Sequence, residues 1–166
     1  MTTSSFTLAV DGISGSCATG ERWAEESMVR DGVPVLSCEG PCIRGEIARL
    51  AANIVSHQSP YARACYAETA LVPYSTMAKW VRESKKVVVI DGCFLHCMRR
   101  LVSNLARPDS IVHFDALPLH KRYSKIFHMD DVPYEDRLAT ARLTADRILA
   151  ALKDENPQCR GDSCSC

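Results

Sequence analysis

The feature that most constrains the fold is a short pattern that occurs twice, at residues 33–42 and 88–97. Each copy is an apolar run followed by Cys-x3-Cys and then by an arginine, Arg44 or Arg99, which opens an amphipathic stretch. Such a pattern is typical of a strand, a cysteine loop and a helix, made twice in one chain. Because paired thiols at a strand end and a helix start bind soft metals or form reactive thiolates, the pattern also indicates the chemistry to expect.

The composition bounds the class of protein. The chain has 166 residues, which is enough for one domain with a substantial core. Its 20 basic and 20 acidic residues balance, so charge favours neither nucleic acid nor an acidic membrane surface as a partner. No apolar run approaches the roughly 18 residues of a membrane span, and the first ten residues lack the basic start of a signal peptide. We therefore expect a cytoplasmic protein that binds a metal ion and neither nucleic acid nor membrane.

The nine cysteines are many for such a chain. An odd count in a chain of this size is not the pattern of a small secreted domain held by disulfides. In a reducing cytosol, clustered cysteines are more often metal ligands or redox groups. Burial as small hydrophobic residues explains one cysteine well but two identically spaced pairs poorly. The sequence therefore predicts that at least three cysteines bind metal or take part in catalysis.

Hydrophobic periodicity predicts strands and helices in alternation. Strands are expected at residues 33–37, 87–90 and 111–117, and two less clearly marked strands at residues 6–10 and around Cys65. Helices are expected over residues 21–30, from Pro41 to about residue 57, over residues 77–83 with Ser75 as the N-cap, after the strand at residues 87–90, and from Pro133 onward. The helix after residues 87–90 carries Leu101, Val102 and Leu105 on its apolar face.

This alternation predicts an α/β fold, with a mostly parallel sheet and helices on both faces in a Rossmann-like three-layer arrangement. We expect a single metal-binding domain over residues 1–158, with residues 1–32 as an N-terminal extension and residues 159–166 as a flexible cysteine-rich tail. Ligands of such sheets bind at the carboxyl ends of the strands. Cys38 and Cys93 fall at that edge, and Cys65 joins them if a strand precedes it.

Four thiolates around a tetrahedral zinc ion form a closed structural site. The four-residue spacing within each pair predicts that both sulfurs lie on one face of a first helical turn and chelate one ion. A helix start also favours the thiolate form that binds metal. Five cysteines qualify as ligands, one more than a tetrahedral site needs: Cys38, Cys42, Cys65, Cys93 and Cys97.

Three of these features together resemble a known family. The segment Asp91-Gly92-Cys93-x3-Cys97 follows an apolar strand, Cys38 ends an earlier strand, and Cys65 lies between them. This arrangement resembles the DGC family, which is named for its Asp-Gly-Cys tripeptide, over roughly residues 33–130. The resemblance implies an α/β domain in which zinc is bound by four cysteines, which here are Cys38, Cys65, Cys93 and Cys97.

The chain departs from the family pattern in ways that leave the ligand set open. It adds Cys42, it has Phe94 where a proline is usual, and it adds the N-terminal segment and the tail. Either Cys42 or Cys65 is then a spare thiol, or all five serve a larger cluster. Pro41 makes the first loop less regular than the second. We also expect Asp91 and Gly92 to support the site, with Asp91 accepting N–H bonds from the Cys93 loop.

A non-enzymatic role in metal or metalloid handling is the first interpretation, with zinc as the metal and no catalytic residue. The alternatives are an iron–sulfur protein and a thiol enzyme using Cys38 or Cys93 for redox, sulfur-transfer or arsenate-reductase-like chemistry. The spacing Cys-x5-Arg occurs twice, from Cys38 to Arg44 and from Cys93 to Arg99. This spacing allows a backbone loop and the arginine to hold an oxyanion over a thiolate. The Ser or Thr that usually follows that arginine is absent, since Gly45 and Arg100 stand there.

Further side chains have less specific patterns. Cys17 lies unpaired in a Gly/Ser loop and is either a further ligand or a reactive thiol. The tail thiols form either a soft-metal chelating arm or a segment without specific chemistry; they are Cys159, Cys164 and Cys166. Four histidines are interpreted as surface or packing residues rather than ligands: His96, His113, His120 and His128.

Overall fold

The computed structural model describes residues 6–12, 15–120, 123–124 and 127–154. The tail cysteines, which are expected either to chelate a soft metal or to have no specific chemistry, lie outside these residues. No helix in the described part of the chain is long and apolar enough to cross a lipid bilayer.

The helices are α1 (Ala18–Val29), α2 (Ile43–Ser56), α3 (Tyr66–Leu71), α4 (Thr76–Glu83), α5 (Cys97–Val102) and α6 (Tyr134–Asp154). The strands are β1 (Val33–Ser37), β2 (Tyr61–Arg63), β3 (Val87–Asp91) and β4 (Ile111–Asp115), with 3₁₀ turns at Pro108–Ser110, Leu117–Leu119 and Met129–Asp131.

The four strands form one parallel sheet in the order β2-β1-β3-β4. In its register, Leu36 of β1 lies opposite Val89 of β3, and Val35 lies opposite both Arg63 and Val88. The strand expected near Cys65 is present as β2, which ends two residues before it. The predicted α/β fold with a mostly parallel sheet is therefore confirmed.

Helices cover both faces of the sheet, as predicted. Side chains of β3 alternate between the faces, so that Val88 and Ile90 pack against α2 and α6 while Val87 and Val89 pack against α1, α4 and α5. All five residues of β3 are buried, which is why its first four residues form an unbroken apolar run. Helix α2 follows β1 on one face of the sheet, and α5 follows β3 on the other. From β1 the chain proceeds to β2 and from β3 to β4, in opposite directions across the sheet, so the strand order reverses between β1 and β3. Ligand sites of such sheets form at this switch point.

Some boundaries differ from the predicted ones. No strand forms within residues 6–12, where Phe6, Leu8 and Val10 are exposed and pair with no neighbour. The first helix begins at Ala18, and α2 begins only after Cys42, so that Pro41 precedes the helix instead of opening it. Helix α1, inside the predicted N-terminal extension, packs on α4 and buries Ala24 completely.

Candidate metal centre

Three neighbouring strands bring thiols to one edge of the sheet. Cys38 directly follows β1, Cys65 follows β2 and Cys93 follows β3, and β1 lies between the other two strands. Because the strands are parallel, their carboxyl ends meet at the same edge, and β1 and β3 flank the switch point. The expectation that three separate segments place cysteines at this edge agrees with the structure.

Cys38 is a half-buried thiol that packs against the hydrophobic core. Its backbone N–H donates to the carbonyl of Ile90 at 2.9 Å, which continues the pairing of β1 with β3. Burial raises the pKa of the Cys38 thiol, against the opposing effect of N–H groups donated by Gly40 and Gly92, and the nearby Asp91 and Cys97 raise the pKa further. A bound cation would offset that burial, because it stabilises the thiolate directly.

Cys42 and Cys65 lie at helix starts, where their sulfurs act as N-caps. The sulfur of Cys42 accepts from the N–H of Gly45 at 3.4 Å, and that of Cys65 accepts from the N–H of Glu68 at 3.5 Å. Sulfur is a weak acceptor as a thiol and a stronger one as a thiolate. The positive end of the helix dipole therefore suits these sulfurs as negatively charged groups.

The prediction that each cysteine pair shares a face of a first helical turn was wrong. Cys42 has the extended dihedrals of an N-cap, so Cys38 lies in a loop before the helix. His96 has a left-handed conformation, with φ 47° and ψ 46°, and Cys97 is the first residue of α5, which leaves Cys93 outside that helix. An N-cap residue does not have helical dihedrals. Because Cys42 is the N-cap of α2 and His96 is the N-cap of α5, neither cysteine pair lies within one helical turn.

Asp91, at the end of β3, anchors the helix that presents Cys97. One of its carboxylate oxygens accepts from the N–H of Met98 at 2.9 Å, and the other accepts from that of Arg99 at 3.0 Å. The Nε2 atom of His113 lies 3.1 Å from the same carboxylate. Asp91 is only 1% exposed, so these three groups surround it. We predicted that Asp91 accepts N–H bonds from the Cys93 loop, but its N–H partners belong to the first turn of α5. That Asp91 supports a metal site stays a prediction.

Asp91→Asn should lower the free energy of unfolding by about 2 kcal/mol, because an amide leaves one buried N–H of α5 facing an NH₂ group instead of an oxygen. Urea denaturation of the two proteins measures the difference. Asp115→Asn is the matched control, since Asp115 ends the adjacent strand and its side chain is 29% exposed. An equal effect of both substitutions would contradict the anchoring role of Asp91.

Two histidines form a pair beside Asp91 that sequence reasoning did not find. The rings of His96 and His113 meet edge to face at 4.7 Å between centroids, and Nε2 of His96 lies 3.5 Å from a carboxylate oxygen of Asp115. Burial lowers the pKa of His113 despite the opposing effect of Asp91. The two residues are 17 positions apart and meet through the pairing of β3 with β4, which no local motif reports.

Gly92 allows two segments of backbone to approach closely at the switch point. A Cβ atom at Gly92 would lie 2.3 Å from the carbonyl oxygen of Arg44 and 3.0 Å from the amide nitrogen of Gly45. Residue 92 therefore has no room for any side chain. This contact presses the end of β3 against the first turn of α2, between the two cysteine loops.

The thiols share an edge but do not form a ready-made cage. Among the described residues, no three Cys, His, Asp or Glu side chains are placed to hold a metal ion together. The donor chemistry nevertheless fits zinc, because all five side chains are free thiols and zinc binds thiolates. Cys65 and Cys97 are exposed, and the other three are half-buried. Rotation about χ1 moves each sulfur without moving the backbone, so the side chains would turn from amide N–H groups toward an ion.

The comparisons with known proteins concern the same segment. A family model, described as the DGC domain, matches residues 34–136, which is more than half of the 166 residues. No curated protein and no solved structure matches the chain significantly. The matched segment runs from β1 into the first turn of α6 and contains all five candidate ligands, whereas Cys17 precedes it.

Proposed function

The chain belongs to the DGC domain family, and on that premise we propose that it binds one soft metal ion, zinc, through cysteine thiolates at the carboxyl edge of its sheet. The observation that carries the proposal is the strand order, which gathers cysteines from the ends of β2, β1 and β3. The role is metal or metalloid handling without catalysis.

The proposed ligands are Cys38, Cys65, Cys93 and Cys97, with Cys42 as a spare thiol. The Cys38 sulfur accepts the N–H of Gly92, and Cys97 is among the groups that raise the pKa of the Cys38 thiol. A cation bound between β1 and β3 would offset this effect, because it stabilises thiolates. Asp91 would hold the backbone of α5 in place, and thereby Cys97, without touching the metal. When bound, zinc would supply a closed centre that joins three strand ends.

A thiol enzyme that uses Cys38 as its nucleophile is less well supported than a metal-binding protein. Nucleophilic catalysis by cysteine needs a thiolate at neutral pH, whereas burial raises the pKa of the Cys38 thiol. An iron–sulfur protein would use the same thiolate ligands and is distinguished by colour, since zinc proteins are colourless and cluster proteins are brown.

Alkylation of the chelated and the zinc-loaded protein tests the ligand set. Without metal, the exposed Cys65 and Cys97 should react rapidly with iodoacetamide, and zinc should protect both together with Cys38 and Cys93. Peptide mapping should find Cys42 labelled at the same rate with and without zinc. Protection of Cys42 with continued labelling of Cys65 would show that Cys42 is the ligand and Cys65 the spare.

A further inference from the structure

The backbone bonds of the sheet place Cys38 but not Cys65. Strand β1 pairs with β3 as far as Cys38, whose N–H donates to a carbonyl of β3 at 2.9 Å. The pairing of β1 with β2 ends earlier, where the N–H of Ala64 donates to the carbonyl of Val35 at 3.0 Å. The N–H of Cys65 donates to the sulfur of Met77 in α4 at 3.4 Å, and not to a strand. The bonds between strands therefore do not set the position of Cys65 relative to Cys38.

A half-buried ion pair joins the two strand ends at this point. Glu39 directly follows Cys38, and Arg63, the last residue of β2, donates from Nη2 to Oε1 of Glu39 at 2.7 Å. The side chain of Arg63 is 27% exposed and that of Glu39 is 22% exposed, so solvent screens this pair less than a surface pair. The hydroxyl of Ser37 donates to the same Glu39 oxygen at 2.8 Å, and Nη1 of Arg63 donates to the carbonyl of Val35 at 3.3 Å. Each charged group therefore has a second contact that fixes its orientation.

We propose that Glu39 and Arg63 are positioning residues for the metal centre, and that their ion pair holds Cys65 beside the ion that Cys38 binds. The pair connects the residue after Cys38 to the residue two positions before Cys65. Groups that orient metal ligands without touching the metal contribute to affinity in this way. The inference rests on the proposed function for the role of Cys65 as a ligand, and it deepens that function by naming the contact that makes Cys65 the fourth ligand.

Arg63→Met and Glu39→Leu remove the ion pair and keep an unbranched or branched apolar chain in its place. Each should weaken zinc binding about 10-fold, the lower end of the loss when groups that orient ligands are removed. The double variant should bind zinc no more weakly than the weaker single variant, because both changes break the same contact. Competition with a chelator measures the affinities, in full-length protein that also carries Cys159→Ser, Cys164→Ser and Cys166→Ser so that those thiols do not compete. Losses that multiply in the double variant would contradict a shared contact.

Alkylation of the zinc-loaded proteins distinguishes positioning from a general loss of stability. In Arg63→Met, iodoacetamide should label Cys65 about 10-fold faster than in the natural protein, while the labelling of Cys38 and Cys97 stays the same. Arg137→Met is the matched control, since Arg137 forms a more enclosed ion pair with Glu46 at 2.9 Å, which joins α6 to α2. It should lower the urea midpoint of the metal-free protein at least as far as Arg63→Met does, and leave the labelling of Cys65 unchanged.

The labelling results separate this inference from the proposed function. Equal protection of Cys65 by zinc in the natural protein and in Arg63→Met would overturn the positioning role and leave zinc binding intact. Faster labelling of Cys65 in Arg137→Met as well would also overturn the positioning role, because lost stability alone would then release the thiol. If zinc does not protect Cys65 in the natural protein, the proposed ligand set fails and the positioning role fails with it.

Discussion

Gly92→Val should lower the free energy of unfolding by about 3 kcal/mol, the upper range for forcing atoms into a packed site. The added Cβ would meet backbone atoms of Arg44 and Gly45 at 2.3 and 3.0 Å. Backbone atoms of a helix turn cannot move aside as a flexible side chain does, so either β3 or α2 must shift. That shift separates the two cysteine loops, and zinc binding should weaken although no ligand is removed.

Gly12→Val is the matched control, because a Cβ atom there meets nothing within 4 Å. Urea denaturation gives the stabilities and elemental analysis gives the zinc content of the two variants. A Gly92→Val protein with unchanged stability and zinc would show that the close approach between β3 and α2 is not needed for the site.

Cys97→Ser should weaken zinc binding by at least about 100-fold, the upper end of what is lost when only a residue that supports a ligand is changed. Cys97 is exposed at the first position of α5, so serine is accommodated there without repacking the core. The zinc-dependent part of thermal stability should disappear with the metal, because binding free energy contributes to folding. A chelator should therefore lower the melting temperature of the natural protein and leave that of Cys97→Ser unchanged.

Cys159→Ser serves as the control for Cys97→Ser, since residue 159 belongs to the segment that the sequence predicts to be a flexible tail. It should retain the full zinc content and the full response to chelator. If serine at the three tail positions emptied the protein while Cys97→Ser retained its metal, the site would not lie at the sheet edge.

Sequence reasoning predicted the elements whose patterns are local. The β-branched run at residues 87–90 indicated a central buried strand, and β3 is buried throughout. Alternation of strands and helices predicted the parallel sheet, and the sheet in turn placed Cys38, Cys65 and Cys93 at one edge. Each of these inferences needs only periodicity and the topology rules for parallel strands.

The details that sequence reasoning missed depend on tertiary contacts. Cysteine is not a usual N-cap, so the sequence pattern does not indicate that Cys42 caps α2 and that Cys65 caps α3. The contact between Cys17 and Glu68 spans 51 residues, and no spacing rule connects them. The signal that was available is Gly20, one turn after Cys17, whose lack of a side chain leaves room for the Glu68 carboxylate.

The most direct test of the account is X-ray absorption at the zinc edge of protein purified without oxygen, with elemental analysis of the same sample. A zinc ion bound by Cys38, Cys65, Cys93 and Cys97 predicts one zinc per chain, a colourless solution and four sulfur neighbours at about 2.3 Å. A metal-free protein, a brown protein containing iron, or a zinc ion with nitrogen or oxygen neighbours would contradict it.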